Sequence, residues 1–118
     1  MDRIYEQTML FDFYGELLTE HQRSVYRDAV YEDLSLGEIA QERGISRQGV
    51  HDLIRRCDRI LQDYESKLHL VERFDRARRR VAEIEGLTYA VDREGDISDM
   101  QAKLGEIREL ARGLLEEL

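Results

Sequence analysis

The positions of apolar residues predict an almost wholly helical chain. Apolar side chains recur at spacings of three and four over residues 3–18, which is the period of an amphipathic helix with one face against a core. A second stripe of this kind follows Thr19, which can form a capping box with Gln22 and so marks a helix start. This second helix is expected to end near Asp33, just before the next cap.

Residues 36–56 have the pattern of a helix-turn-helix. Ser35 and Glu38 form a predicted capping box at the start of its first helix. Ala40 is small at the fifth position, where two crossing helices come closest, and Gly44 at the ninth tolerates the positive φ of a tight turn. The apolar residues expected to face the shared core are Ile39, Ile45, Val50 and Leu53.

The second helix of this segment carries the candidate site. Ser46 follows the turn and is expected to cap the helix. The polar side chains that the helix should expose are Arg47, Gln48, His51, Asp52, Arg55 and Arg56. Arg and Gln suit bidentate contacts with guanine and adenine edges, so the segment predicts DNA binding. The expected base contacts come from Arg47, Gln48, His51 and Arg55, and Ser46 and Arg56 would hold phosphates. Asp52 would either accept from a cytosine amine or repel the DNA backbone.

Beyond this segment the apolar stripe continues without Gly or Pro as far as Glu85. Roughly 35 residues at about 1.5 Å each would make a helix of about 50 Å, longer than a small domain can cover. The helix is therefore expected either to break near residues 66–70 or to pack against another structure. Residues 86–95 predict a loop, and Ser98 with Gln101 predicts the cap of a last helix.

The last helix carries about three heptads of strictly spaced apolar residues. Two uses of this seam stay open: packing against the long preceding helix as an antiparallel hairpin, and pairing with a second subunit. The chain is accordingly predicted to be all-α, with a tri-helical helix-turn-helix core, a long helix and a C-terminal helical hairpin or dimerisation extension. Residues 1–62 would form the core with its N-terminal helix, and residues 63–118 the extension.

Composition agrees with this fold and limits the chemistry. The 118 residues include no Pro and no Trp, and 37% are charged, which favours helices. The one cysteine, Cys57, falls on the apolar stripe and is interpreted as a small core residue. The histidines are scattered and no phosphate loop or nucleophile motif occurs, so we expect no enzyme activity, cofactor or metal. No signal peptide or membrane span is visible, so a cytoplasmic location is expected.

Charge is unevenly distributed around the net value of −8. Residues 1–33 hold eight acids and three bases, and residues 63–118 hold fourteen acids and ten bases. Residues 34–62, with four acids and five bases, are the only segment without an acidic excess. The net charge argues against indiscriminate nucleic-acid binding, whereas this segment suits a small DNA-facing surface. It is also compatible with a surface that meets an acidic protein.

Four groups of residues resemble the YlxM family of bacterial helix-turn-helix proteins. They are Leu10-Phe11-Asp12-Phe13-Tyr14-Gly15 followed by Leu17-Leu18-Thr19, then Asp33-Leu34-Ser35-Leu36-Gly37-Glu38-Ile39-Ala40, Gly44-Ile45-Ser46-Arg47-Gln48-Gly49-Val50 and Tyr64-Glu65-Ser66-Lys67-Leu68-His69-Leu70. The likeness extends over about residues 4–74, and the helix-turn-helix also resembles region 4 of bacterial sigma factors. It implies a small, all-helical, cytoplasmic homodimer. Because the family is usually encoded beside signal-recognition-particle genes, it also implies a regulatory role in that pathway.

Two positions depart from the usual pattern. Arg43 occupies the eighth position of the helix-turn-helix, which is usually apolar. Gly49 stands where the family usually has Ala, and because Gly inside a helix costs about 1 kcal/mol relative to Ala, Gly49→Ala is predicted to raise stability.

Two functions remain open at this point. The first is a DNA-binding regulator of transcription that acts as a dimer on two half-sites. The second is a non-enzymatic adaptor that uses a sigma-like fold to bind a protein or the RNA of the signal recognition particle.

Overall fold

The computed structural model describes residues 2–93 and 96–117 of the chain, and all of their regular structure is helical. The elements are α1 Arg3–Tyr14, a 3₁₀ turn Gly15–Leu17, α2 Glu20–Val30, α3 Leu36–Arg43, α4 Arg47–Leu68, α5 Leu70–Arg93 and α6 Ile97–Glu117. The predicted all-α class is confirmed. The chain divides into two compact units, an N-terminal unit Met1–Val71 and a C-terminal unit Glu72–Leu118. The functional division at residue 62 stays a prediction.

Side-chain caps begin the first four helices. Capping boxes at Thr19 and Ser35 start α2 and α3 as the sequence predicted, with Gln22 and Glu38 as the reciprocal partners. The carboxylate of Asp2 accepts from the Ile4 N–H and caps α1. α1 itself ends at Tyr14, and the 3₁₀ turn occupies the rest of the predicted first helix.

The core of the N-terminal unit lies around α4, which packs against α1, α2 and α3. One cluster joins α1 and α2 to the middle of α4, where Tyr26, Cys57 and Leu61 are completely buried. A second cluster joins α2, α3 and the start of α4 through Val25, Ile39, Ala40 and Val50. Since the two clusters cover α4 from three sides, its outer face is fixed in position.

The break in the long helix falls where it was predicted, near residues 66–70. α4 ends at Leu68 because His69 adopts the left-handed conformation, with φ 57° and ψ 28°. Two side chains satisfy the first N–H groups of α5: Leu70 N–H donates to Tyr14 Oη (3.1 Å), and Val71 N–H donates to Glu65 Oε1 (3.0 Å). Tyr14 in turn donates to Glu65 Oε1 (2.5 Å).

Two predictions for the C-terminal unit were wrong. α5 runs through Gly86 to Arg93, so residues 86–93 are helical and not a loop; residues 94–95 lie outside the described residues. One glycine costs a helix only about 1 kcal/mol, which its good helix-forming neighbours overcome. α6 is capped by Asp96, whose carboxylate accepts from the Ser98 N–H (3.1 Å), and Ser98 itself lies inside the helix.

α5 and α6 form an antiparallel hairpin within the C-terminal unit. Arg80 Nη1 donates to the Gly113 carbonyl (3.2 Å) and lies 2.9 Å from Glu117 Oε1. No described residue of α6 is fully buried, and Ile97 and Leu115 are 71% and 70% exposed. In the described part of the chain, no helix is both long enough and apolar enough to cross a membrane.

Candidate nucleic-acid interface

The turn between α3 and α4 has helix-turn-helix geometry. Gly44 adopts φ 68° and ψ 33°, the left-handed conformation that the sequence predicted for this position. Both Gly44 N–H and Ile45 N–H donate to the Ala40 carbonyl, which closes the turn. Ser46 Oγ then accepts from the Gly49 N–H (2.9 Å) and caps α4, as expected.

Two side chains near the turn differ from the simple pattern. Ile45, predicted to face the core, is 36% exposed, because the tight turn lifts it away from the cluster that holds Ile39 and Val50. Arg43, at the usually apolar position, reaches back to α2, where Nη2 donates to Ser24 Oγ (2.6 Å) and Asp28 Oδ2 (2.7 Å). The guanidinium therefore ties α3 to α2, and it is not available to a ligand.

The outer face of α4 bears all the polar residues predicted for it. The exposed residues are Arg47, Gln48, His51, Asp52, Arg55 and Arg56, and Ser46 is exposed before them. Arg59 is exposed as well and was missed. It lies four residues after Arg55, on the strip that Gln48, Asp52 and Arg55 already form at spacings of four and three, so the helical period could have revealed it.

The arginines of α4 differ from the others in the N-terminal unit. Among the described residues, no ion pair or hydrogen bond is made by Arg47, Arg55, Arg56 and Arg59. The remaining arginines of the unit have partners: Arg3 with Asp58, Arg23 with Glu16, Arg43 with Asp28, and Arg27 over the ring of Phe11. Arg27 makes no ion pair or hydrogen bond either, but its guanidinium lies 5.6 Å from the centre of the Phe11 ring. In the described part of the unit, the guanidinium groups with no ion pair, hydrogen bond or ring contact therefore lie on α4.

Two polar residues on this face are bonded to each other. Gln48 Nε2 donates to Asp52 Oδ1 at 2.9 Å, across one turn of α4. His51 Nδ1 lies 3.7 Å from the same carboxylate oxygen, and the side chains of His51 and Asp52 are 47% and 64% exposed. Asp52 therefore accepts a hydrogen bond from Gln48 and lies beside His51, and among the described residues it does not pair with an arginine of the helix.

Comparisons with known proteins agree with this geometry. The family described as "UPF0122: Putative helix-turn-helix protein, YlxM / p13 like" matches residues 1–100. The chain belongs to the UPF0122 family. It is 48% identical over 84 residues to a UPF0122 protein of Shouchella clausii, covering 71% of this chain and 77% of the relative. A UPF0122 protein of Symbiobacterium thermophilum is 43% identical over 108 residues, which cover 92% of this chain and 97% of the relative. A UPF0122 protein of Halalkalibacterium halodurans is 39% identical over 104 residues, which cover 88% of this chain and 93% of the relative.

Beneath its exposed face, this UPF0122 protein holds α4 by a polar network. Tyr26 donates to Asp58 Oδ1 (2.6 Å) and Gln7 Nε2 donates to the same oxygen (3.1 Å), so α1 and α2 both attach to the helix. Burial and the bond to Asp58 raise the pKa of Tyr26, which stays a neutral donor. Cys57 is completely buried, as predicted, and burial raises the pKa of its thiol to about 11.

Proposed function

We propose that this chain is a non-enzymatic, DNA-binding regulator of transcription that places the outer face of α4 in the major groove. The observation that carries the proposal is the set of four arginines on α4 that make no ion pair, hydrogen bond or ring contact among the described residues. A guanidinium is a strong bidentate donor to guanine and to phosphate, and leaving four of them on one face without protein partners suits an anionic ligand.

The length of the exposed face of α4 indicates which of its residues would contact bases and which would contact phosphates. Arg47 and Arg59 are separated by twelve residues, or about 18 Å along a helix, whereas the major groove is about 12 Å wide. The first part of α4, as far as Arg55, would therefore lie in the groove, with base contacts from Arg47, Gln48, His51 and Arg55. Arg56 and Arg59 would reach phosphates at its edge, and the hydroxyl of Ser46 still has a proton to donate to a phosphate while it caps the helix.

Binding as a homodimer is part of the proposal. α6 presents apolar residues that the hairpin leaves exposed, among them Ile97, Leu104 and Leu115. A groove of about 900 Å³ runs between α5 and α6, lined in part by Leu87, Ala102 and Leu110. Pairing of the extension, residues 63–118, would cover this surface, and a dimer of this kind would read two half-sites about one turn of DNA apart. Light scattering of the purified chain over a range of concentrations tests the dimer.

The test of DNA binding is selection from a fragmented pool of the source genome, followed by sequencing, at two salt concentrations. We expect an enriched palindrome whose binding weakens steeply with salt, because phosphate contacts release counterions. The double variant Arg47→Ala with Gln48→Ala should lose the sequence preference. Arg112→Ala, which removes an exposed arginine in the C-terminal unit, is the matched control and should keep it.

A different outcome would favour the adaptor. If no DNA is enriched at low salt, the cytoplasmic partner to seek is a protein or RNA of the signal recognition particle, which the family resemblance alone suggests. Duplex RNA is a poor ligand for α4 itself, since its major groove is too deep and narrow for a helix. Co-purification of such a partner that survives the Arg47 and Gln48 substitutions would replace the present proposal.

A further inference from the structure

The bond between Gln48 and Asp52 suggests which base the site reads. We infer that Asp52 is a positioning residue that fixes the side-chain amide of Gln48, and that the fixed amide selects adenine over guanine in the major groove. The inference rests on the proposed DNA binding and goes beyond it by naming a base and the residue that enforces the choice.

The bond determines which way the amide faces. A carboxylate only accepts hydrogen bonds, so the contact of 2.9 Å must be made by the NH₂ group of Gln48. One N–H is used in this way. The proposed role requires that this be the N–H directed away from Oε1. The remaining N–H then lies beside Oε1, so the free edge of Gln48 offers one donor next to one acceptor.

That free edge matches one base. In the major groove adenine presents the N7 acceptor beside the N6 amino donor, and a Gln amide with one donor and one acceptor pairs with both. Guanine presents two acceptors, N7 and O6, and would need both N–H groups of Gln48. Because Asp52 occupies one of them, guanine is disfavoured at this position.

The negative charge of Asp52 also favours adenine over guanine. Its side chain is 64% exposed on the strip that faces the ligand. Gln48 bonds to Oδ1, and among the described residues Oδ2 accepts no hydrogen bond, so it can accept one from a base. A carboxylate oxygen repels phosphates and the N7 and O6 atoms of guanine, but it accepts from the amino group of adenine or cytosine. The acidic residue that looked out of place on a DNA-reading helix thus narrows the choice of base.

The test is selection from a pool of random-sequence duplex DNA with the full-length chain and four variants, Asp52→Ala, Asp52→Asn, Gln48→Ala and Asp63→Ala. The wild type should enrich adenine at one position of each half-site by roughly tenfold over guanine, the discrimination of one good bidentate contact. Asp52→Ala should bind DNA at least as tightly, because a negative charge is lost, but the adenine preference should disappear. Asp52→Asn should retain it, since the Asn carbonyl can accept the same bond from Gln48.

Asp63→Ala is the matched control. Asp63 lies on the same helix, is 63% exposed and bonds a residue one turn away, Lys67, at 3.1 Å, so its removal changes the charge equally. It should tighten binding without altering the base preference. Circular dichroism on each variant checks that the helices are intact, which is expected because both aspartates are exposed.

The possible failures are distinguishable. An adenine preference that survives Asp52→Ala, or a wild-type preference that does not change when Gln48 is replaced by Ala, would overturn the inference while leaving DNA binding in place. Absence of any selected sequence with the wild type at low salt would overturn the proposed function, and this inference with it.

Discussion

The two units share the same spacing of apolar residues but differ in how deeply those residues are buried. α4 and α6 both carry apolar residues at spacings of three and four, yet Leu61 of α4 is completely buried whereas Leu115 of α6 is 70% exposed. α4 has three helices packed around it, whereas α6 forms a two-helix hairpin with α5. Periodicity therefore predicts that a helix forms and which face is apolar, but burial depends on how many elements cover that face.

The largest difference in stability between the two units should appear when Leu61 and Leu115 are each replaced by alanine. Leu61→Ala removes a side chain from the middle of a packed core and should lower the free energy of unfolding by about 2–5 kcal/mol. Leu115→Ala should cost less than about 1 kcal/mol at low protein concentration, because little of this side chain is withdrawn from water. Urea unfolding followed by circular dichroism measures both.

Protein concentration provides the control. If the C-terminal unit pairs with a second subunit, the effect of Leu115→Ala should grow as the concentration rises, while that of Leu61→Ala should not. Equal losses for the two variants at every concentration would contradict the contrast between the units.

The next contrast concerns ion pairs. Arg43 is bonded to Ser24 and Asp28, and the carboxylate of Asp28 is only 17% exposed. Arg43→Ala should therefore cost about 1–3 kcal/mol, since it leaves a half-buried carboxylate without its partner. Arg112 pairs with Glu109 at the surface, where the two side chains are 57% and 72% exposed, and Arg112→Ala should change stability by less than about 0.5 kcal/mol. The shift in the urea midpoint would be compared for the two variants.

Replacing glycines inside helices by alanine should change stability less than the arginine substitutions do, and should raise it. A Cβ added at Gly86 in α5 would meet no atom within 4 Å, so Gly86→Ala should stabilise its helix by about 0.5–1 kcal/mol. A Cβ at Gly49 would lie 3.1 Å from Ser46 Oγ, which caps α4. Gly49→Ala should therefore gain less than Gly86→Ala, because the cap must shift. Hydrogen exchange of the two helices separates the effects, and a larger gain at Gly49 would show that Ser46 moves without cost.

The smallest expected effect is a loss of folding stability at alkaline pH, which is absent at neutral pH. The pKa of Cys57 is raised by burial from 9.0 to about 11, and the pKa of Tyr31 is raised by burial and its bond to Asp12 from 10.0 to about 12. Both groups lose their protons at lower pH in the unfolded chain, so the folded state binds more protons above pH 9, and stability should fall as the pH rises from 9 towards 12. Unfolding midpoints at pH 7, 9 and 11 measure this loss. Tyr31→Phe should make it smaller; an unchanged slope would argue against a shifted Tyr31.

Local sequence predicted the features that depend on neighbouring residues. The caps at Thr19, Ser35 and Ser46 were predictable because each needs only a side chain and a backbone N–H within three residues. Gly44 marked the turn through its own conformational freedom. The same local reasoning failed for residues 86–93, where a stretch bounded by two glycines suggested a loop although α5 continues through it to Arg93.

The sequence by itself determined the all-helical class, the helix-turn-helix, and the polar residues on the outer face of α4, because these follow from period, caps and residue type. Only the tertiary structure decided which arginines of the helix-turn-helix are available to a ligand. Arg43 forms an ion pair with Asp28, fifteen residues earlier in the chain. The arginines of α4 make no ion pair or hydrogen bond among the described residues. Pairing between charges depends on which helices lie side by side, and that arrangement is set by the packing of the whole core.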